Sequence, residues 1–363
     1  MVSRLRVLVW QWGRRGAGPR VAVDLAAAIS TVPNTESLLS LSTQSEQMKG
    51  AVPPYCALPY DTYSGLAGYI WRVLTIPVRL PELCKTLRRL APDMAVCAMP
   101  APLDLLMALA LGVLGVPFYV VVHDADAHPG DGFPMQMTLQ RLLVRRAAGL
   151  VTLSGHIAQR LLDRGEVGPR ALIRLGLPPF SFGPVPPPPR QHGGPLRLLF
   201  FGRLLPYKGI GLFADALPLL GDADIVVRVI GQGPETPELG MLRRMRHVQV
   251  ENRWVPEAEI GALLSWADAI VLSYTEASQS GVAAAAVAAR RWVVATNVGG
   301  LAEQLHNESL ARICAPNRES VAAAIISLIT DPPQVAGGPV DADISWQGMA
   351  KTLVAEIRAL HGR

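Results

Sequence analysis

Cysteine is scarce in this chain: four in 363 residues, at positions 56, 84, 97 and 314. No two form a CxxC pair and none stands at metal-ligand spacing from a histidine, which argues against a zinc module and a disulfide framework. Cys97 in "DMAVCAMP" and Cys314 in "ARIC" read as buried, reduced thiols in strands. Aromatic residues make up 6% of the chain and charged residues 17%, and no basic stripe is interleaved with aromatics, so nucleic acid is not an expected partner. No GxxxxGK[ST] occurs, which excludes a P-loop; "GAGPRV" (16–21) lacks the third glycine of a dinucleotide fingerprint. The N-terminal apolar run is short and meets Arg14-Arg15 where a signal peptide would carry a cleavage site, so a cytoplasmic protein is expected. The longest apolar segment, "LDLLMALALGVLGVPFYVVV" (103–122), has the length of a membrane span. Gly112, Gly115 and Pro117 divide it, and a buried helix followed by a central strand is the expectation.

Half of the residues are hydrophobic, enough for a large core. The net charge of +5 and pI near 9.2 suit anionic partners such as nucleotides or acidic headgroups. The length suggests two domains. Short apolar runs at 4–10, 36–42, 93–99, 117–123 and 149–154 read as strands, with helices between them at 20–30, 65–91, 101–114 and 135–148. "GPVPPPPRQHGGP" (183–195) is a connector, because proline and glycine at that density continue neither element. The alternation restarts with strands at 196–202, 224–230, 247–251, 269–274, 292–296 and 311–314, and a last helix follows a second Pro/Gly patch at 331–339. Unbroken apolar strands separated by helices mean parallel sheets covered on both faces. The reading is an α/β chain of two Rossmann-like domains, 1–184 and 196–340, joined by 185–195, with a C-terminal helix in 341–363 that packs back on the first domain.

Four loops of the second half end strands with chemistry suited to an anion. "FFGRLLPYKG" carries Arg203 and Lys208; "VIGQGPE" holds Gly231 and Gly233; "LSYTEASQSGV" and "VVATNVGGLAEQL" each lead into a helix. Two full cations added to helix N-termini and a glycine-lined backbone suit a diphosphate better than a carboxylate. Solvated loop charges are the plain alternative for the Arg–Lys pair. The run "HDADAH" (123–128) has two readings as well: a strand-end core histidine, or Asp124, Asp126 and His128 on one side of an extended segment, able to hold a divalent ion. Trp12 and Trp71 are open between core and acceptor-facing positions. The stretch 69–92 mixes Arg and Lys with Leu, Ile and Trp, and reads either as a helix with a basic outer face or as a surface for an anionic membrane.

The set "GRLLPYKG", "IGQGPE", "RWVPEAEIGALLSWADAIVLSY", "SQSGV" and "VVATNVGGLAEQL" resembles, in order and spacing, the donor-binding half of glycosyltransferase family 4. The first half is similar to the family more weakly, through "GAGPRVAVDLAAAI", "VVHDADAHPGD" and "GLVTLSGHIAQRLL". The resemblance implies a retaining enzyme of GT-B fold, two Rossmann-like domains facing across a cleft, with a nucleotide diphosphate sugar as donor and no metal or other cofactor. It implies catalytic roles for Arg203, Lys208, Glu276 and His123, and donor contacts from Gly202, Gly231, Gly233, Ser278, Ser280, Gly281 and Glu303. It also implies that Gly16, Ala17 and Gly18 form the loop where acceptor and donor meet. The family places a second glutamate eight residues after the first; Ala284 stands there, and "QSG" resembles a bacterial polysaccharide-assembly subgroup that shares this loss. Aligned backward from "VVAT", the first acidic position falls on Ala277, one past Glu276. Arg290 occupies a place that is usually glycine or another small residue, for no reason visible in the sequence. The expected function is sugar transfer to a sugar or lipid-linked sugar acceptor, in cell-surface polysaccharide or glycolipid synthesis at the inner face of the membrane. The alternatives are a nucleotide-sugar epimerase and a non-catalytic nucleotide-sugar-binding scaffold.

Overall fold

The computed structural model describes residues 4–127, 130, 135–334 and 341–362. His128 and residues 335–339 of the second Pro/Gly patch lie outside them. The chain divides into two compact units. The first carries seven parallel strands: β1 Leu5–Gln11, β2 Thr35–Ser42, β3 Cys56–Tyr60, β4 Met94–Cys97, β5 Phe118–Val122, β6 Gly149–Thr152 and β7 Ala171–Arg174, in the order β3-β2-β1-β4-β5-β6-β7. The second carries six: β8 Leu196–Phe201, β9 Ile225–Gly231, β10 Val248–Asn252, β11 Ala269–Leu272, β12 Trp292–Thr296 and β13 Ala311–Cys314, in the order β10-β9-β8-β11-β12-β13, again all parallel. Every residue of β4, β5, β11 and β12 is buried, as strands covered on both faces require. In each sheet the order reverses beside the first strand, at β1 and at β8, and open α/β sheets bind ligands at the carboxyl ends of strands flanking such a point.

Two strands lie outside the expected set. β3 contains Pro59, which removes a donor, and sits at a sheet edge where that is tolerated. β7, the other edge, is a four-residue strand ending in Arg174, too short and too polar to stand out. The expected helix 65–91 is two helices, Gly65–Leu74 and Ile76–Leu90, meeting at Thr75. Pro77 has no N–H to continue the first helix, but its fixed φ fits the first turn of the second. The apolar segment 103–122 is the helix Asp104–Leu114, ended by Gly115 at φ +68, and then β5. No helix among the described residues is long and apolar enough to cross a membrane. All four cysteines are free; Cys84 and Cys97 are buried, whereas Cys56 and Cys314 are half-buried at or near strand ends.

The second unit begins at Leu177, ahead of the Pro/Gly stretch, and that stretch is tied to its sheet. Asp268, 2% exposed and just before β11, accepts from the Arg190 N–H (2.6 Å) and the Arg197 N–H (2.9 Å), and its carboxylate meets His192 Nε2 at 3.0 Å. Beside it the Arg291 guanidinium donates to the carbonyls of Ala267, Ala289 and Pro187. Burial holds the Arg291 pKa down at about 10. Asp268→Ala should therefore cost about 1–3 kcal/mol in urea unfolding, since it removes the buried carboxylate that two part-buried N–H donors share; a loss below about 0.5 kcal/mol would mean the connector is not pinned there. The C-terminal helix Ala342–Leu360 groups from Asp343 with the first unit: Arg358 donates to the Asn34 carbonyl (3.0 Å), and His361 Nε2 lies 2.9 Å from the Tyr119 hydroxyl.

Arg290 has a structural place. The helix Gly281–Ala288 ends in a Schellman motif, with the Arg291 N–H on the Ala286 carbonyl and the Arg290 N–H on that of Val287. Arg290 takes the left-handed position, φ +52, which glycine normally occupies. Arg290→Gly should be about 1 kcal/mol more stable than Arg290→Ala, both lacking the same charge and differing only in the Cβ; equal urea midpoints would refute this.

Candidate active site

In the second unit, the loops that leave β8, β9 and β11 touch backbone to backbone. Gly202, at φ +120, ends β8, and a Cβ on Gly231 at the end of β9 would stand 1.5 Å from the Gly202 carbonyl oxygen. A Cβ on Gly233 would come within 2.1 Å of the Leu204 oxygen. On the other side Gly209, at φ +70, would put a Cβ 1.7 Å from the Ser273 oxygen, while Ser273 Oγ donates to the Gly209 carbonyl at 2.9 Å. Only glycine fits these places, so the loop carrying Arg203 and Lys208 is held from both neighbouring strands.

The cations are arranged over aromatic rings. Arg203 is exposed and donates through Nη2 to the Tyr207 hydroxyl at 2.7 Å. Lys208 is half-buried; its Nζ lies 3.9 Å from the ring centroid of Tyr274 and 5.0 Å from that of Tyr207. Both tyrosines are buried. Among the described residues no carboxylate forms a salt bridge with Lys208, so its charge is stabilised by ring faces and left for an anion. The Tyr207 carbonyl also accepts the Thr275 N–H at 2.9 Å, joining this loop to the one that carries Glu276.

That second loop is clamped from within. Ser280, 1% exposed, caps the helix Gly281–Ala288: its Oγ accepts the Ala283 N–H (3.1 Å) and lies 3.2 Å from the Tyr274 hydroxyl. Gln304 binds the same residue twice, Oε1 taking the Ser280 N–H (2.8 Å) and Nε2 donating to its carbonyl (3.0 Å). The Ser280 amide is thus engaged, and the helix start presents the Gly281 and Val282 amides. Val282 touches Gly202, with Cγ2 3.4 Å from where a Cβ would be, so this helix start adjoins the cation loop. Ser278 is buried. Glu276 and Glu303 are exposed. Ala277 is 7% exposed, and its carbonyl accepts the Gly300 N–H at 2.9 Å. Ala284 is 2% exposed, and its carbonyl accepts the Phe180 N–H at 3.2 Å. Tyr207, Tyr274 and Gln304 were not singled out from the sequence. The only signal was the placing of the two tyrosines next to Lys208 and at the end of an apolar strand.

In the first unit Gly16, at φ +83, opens the helix Ala17–Ser30; Gly16 and Ala17 are exposed and Gly18 is buried. Gln11 fills the space beneath this loop: its Oε1 accepts the Gly13 N–H at 2.9 Å, and a Cβ on Gly18 would meet its Nε2 at 2.8 Å. His123 follows β5, 6% exposed, with Nε2 2.9 Å from the Ala98 carbonyl. A carbonyl only accepts, so Nε2 carries the proton, and burial holds the ring's pKa below the ordinary histidine value. The ring is a neutral hydrogen-bonding group at pH 7. Asp126 pairs with Arg160 and Arg164, which hold its carboxyl below the usual range against the opposing effect of burial. No group of three His, Cys, Asp or Glu among the described residues is gathered to hold a metal. Trp12 is core: fully buried, it donates to Ser40 Oγ at 3.0 Å and stacks on Tyr60 at 4.3 Å. Trp71 is exposed.

Compared with known families, residues 5–176 match the glycosyl transferase 4-like domain and residues 195–331 match the glycosyl transferases group 1. The chain is a glycosyltransferase of the group 1 type. Over 314 residues this glycosyltransferase is 26% identical to a 2-deoxystreptamine glucosyltransferase of Streptomyces kanamyceticus, covering 74% of the chain and 76% of that relative. Its fold, GT-B with two Rossmann-like halves, is similar to that of the sucrose-phosphate synthase of Thermosynechococcus elongatus (TM-score 0.68, 14% identity, 99% of this chain and 100% of that one). It is also similar to Anabaena HepE in complex with UDP (TM-score 0.67, 15% identity, 98% and 99% covered). The split between the two family matches, 176 to 195, brackets the connector tied down by Asp268 and Arg291.

Proposed function

We propose that this glycosyltransferase is a retaining enzyme that takes a sugar from a nucleotide diphosphate sugar and places it on an acceptor hydroxyl, in cell-surface polysaccharide or glycolipid synthesis. The observation that carries the reading is Lys208, held over Tyr274 and Tyr207 with no carboxylate partner among the described residues, beside Arg203 and the Ser280-capped helix start. In the transfer the bond from the anomeric carbon to the diphosphate breaks and a bond to the acceptor oxygen forms on the same face. The acceptor proton passes to a diphosphate oxygen, so no carboxylate base is required. Negative charge grows on the leaving diphosphate, where two fixed cations and the Gly281 and Val282 amides stabilise it more in the transition state than in the ground state. Glu276 and the neutral His123 contact the transferred sugar in this reading. HepE binding UDP makes uridine donors the first to test, and the streptomycete relative makes an aminocyclitol a candidate acceptor alongside lipid-linked sugars. The test is incubation with a panel of radiolabelled nucleotide sugars, with and without these acceptors, in EDTA. Release of nucleoside diphosphate from one donor, undiminished by EDTA, supports a transferase that needs no metal. Binding without turnover on every acceptor supports a scaffold, and interconversion of sugars without nucleotide release supports an epimerase.

The lipid side of the proposal has its own support. Leu66, Ile70, Trp71, Leu74 and Val78 are all exposed across the two helices that meet at Thr75, and Lys85, Arg88 and Arg89 are exposed on the second. Apolar side chains flanked by cations suit an anionic bilayer surface, which supports a reading of the enzyme at the inner face of the membrane. The chain should co-sediment with vesicles containing phosphatidylglycerol and not with pure phosphatidylcholine, and Trp71→Ser with Leu74→Ser should weaken that binding about tenfold or more. Unchanged sedimentation would remove the membrane contact and leave the transferase reading in place.

A further inference from the structure

Asn252 ends β10, an edge strand of the second sheet, and has no part in the steps above. Its side chain binds both polar groups of one backbone residue. Oδ1 accepts the Gly233 N–H at 3.0 Å, and Nδ2 donates to the Gly233 carbonyl at 3.0 Å. A carboxamide carries a donor and an acceptor on one planar group, which is what such a bracket requires. A third contact fixes which way round the amide lies: Nδ2 also donates to Glu235 Oε1 at 2.7 Å, an oxygen that could not face Oδ1. Glu235 is held in turn by Arg243, whose guanidinium donates to both carboxylate oxygens, at 2.6 and 3.0 Å. Arg243 first, and Asn252 after it, keep the Glu235 carboxyl down at about 2, so it is a charged acceptor near neutral pH.

The bracketed residue is a wall of the cation loop. A Cβ on Gly233 would stand 2.1 Å from the Leu204 oxygen, and the Leu204 N–H donates to the Gln232 carbonyl at 2.9 Å. Leu204 is buried and directly follows Arg203. The backbone of 232–233 therefore sets where Arg203 leaves the loop, and Asn252 sets the backbone of 232–233. The strand pairing reaches the same point, with the Arg253 N–H on the Gly231 carbonyl at 2.8 Å. The Arg253 side chain is engaged elsewhere, with Glu251 at 2.8 Å and Glu259 at 2.7 Å. Gln304 closes the same kind of bracket on Ser280, in the loop after β11.

We propose that Asn252 is a positioning residue for the transfer: its amide fixes the Gly233 peptide, that peptide fixes Leu204, and Arg203 is thereby set against the departing diphosphate. The proposal rests on reading this loop as a diphosphate site. It has two consequences that mere support of the fold would not have. Loss of the bracket matters only while Arg203 is present. Loss of the amide's donor alone, as in Asn252→Asp, is reversed by acid. The introduced carboxyl keeps an acceptor for the Gly233 N–H but turns its second oxygen on the Gly233 carbonyl and the Glu235 carboxylate. Those two acceptors raise its pKa, and Arg243 opposes them in part. The protonated form donates, so the bracket is present at low pH and is lost as pH rises through that raised pKa.

The test is calorimetric titration of UDP, ADP and GDP into the full chain, with donor turnover and the thermal unfolding midpoint followed on the same samples. A nucleoside diphosphate is the leaving group itself, so its affinity reads Arg203 directly. For whichever diphosphate binds, Asn252→Ala should weaken binding about fivefold, and less than about twofold where Arg203→Ala is already present. Asn252→Asp should bind about tenfold more weakly than the parent at pH 8, and within about twofold of it at pH 5. An equal loss from Asn252→Ala in both backgrounds overturns the proposal, as does a deficit in Asn252→Asp that is the same at both pH values. Should Asn252→Ala fail to fold, the pH comparison alone decides. If no diphosphate binds the unaltered chain, this proposal and the transferase reading fall together. If the coupling and the acid rescue are found but no donor is ever turned over, the transferase reading falls and the role of Asn252 in the diphosphate site stands.

Discussion

Lys208→Ala is expected to lower turnover about a thousandfold, and Arg203→Ala about a hundredfold, with small changes in KM for the donor. The inequality follows from surroundings. Lys208 is half-buried against two ring faces, where the dielectric is low and a point charge acts strongly on a nearby phosphate. Arg203 is exposed, and solvent screens it. The kcat-against-KM split matters because the proposed role is in the departing diphosphate, whose charge exceeds that of the bound donor. Neither substitution should unfold the chain, since among the described residues Lys208 forms no salt bridge with a carboxylate, and Arg203 is exposed. Near-normal kcat in Lys208→Ala would remove the central claim about this loop. A raised KM with unchanged kcat would reduce the pair to a phosphate grip.

Much of this could be read before any coordinates. Both parallel sheets follow from apolar runs such as "PFYVVVH" and "RWVVAT", because a strand covered on both faces has no polar side to hide. What escaped were the edge strands β3 and β7, which are half-wet and whose pattern is correspondingly weak. Within the site, the cations and glycines were legible because their chemistry is rare in so apolar a chain. Gln304 was not: it acts through an amide that reaches across from the following helix to Ser280, and nothing local marks that reach. Arg290 looked arbitrary until the Schellman geometry gave it a backbone conformation.

Gly231→Ala is expected to cost at least about 3 kcal/mol of stability, and to abolish turnover in whatever fraction folds. The reason is distance, not strain in φ, since Gly231 is not among the positive-φ residues. Its added methyl would sit 1.5 Å from the Gly202 oxygen, an approach no rotamer can relieve because both partners are backbone. Relief requires β8 and β9 to separate where the Gly202 N–H donates to the Ile230 carbonyl at 3.1 Å, and that bond holds the start of the cation loop. Stability and catalysis should therefore fall together. Gly112→Ala provides the contrast: it lies in an exposed position of the helix Asp104–Leu114 with nothing within 4 Å of the new Cβ, and should gain about 0.5–1 kcal/mol from helix propensity alone. Equilibrium urea unfolding on both variants checks the pair. If Gly231→Ala unfolds within about 0.5 kcal/mol of the parent, β8 and β9 do not meet as closely as described, and the rigid mounting of Arg203 and Lys208 falls with that contact.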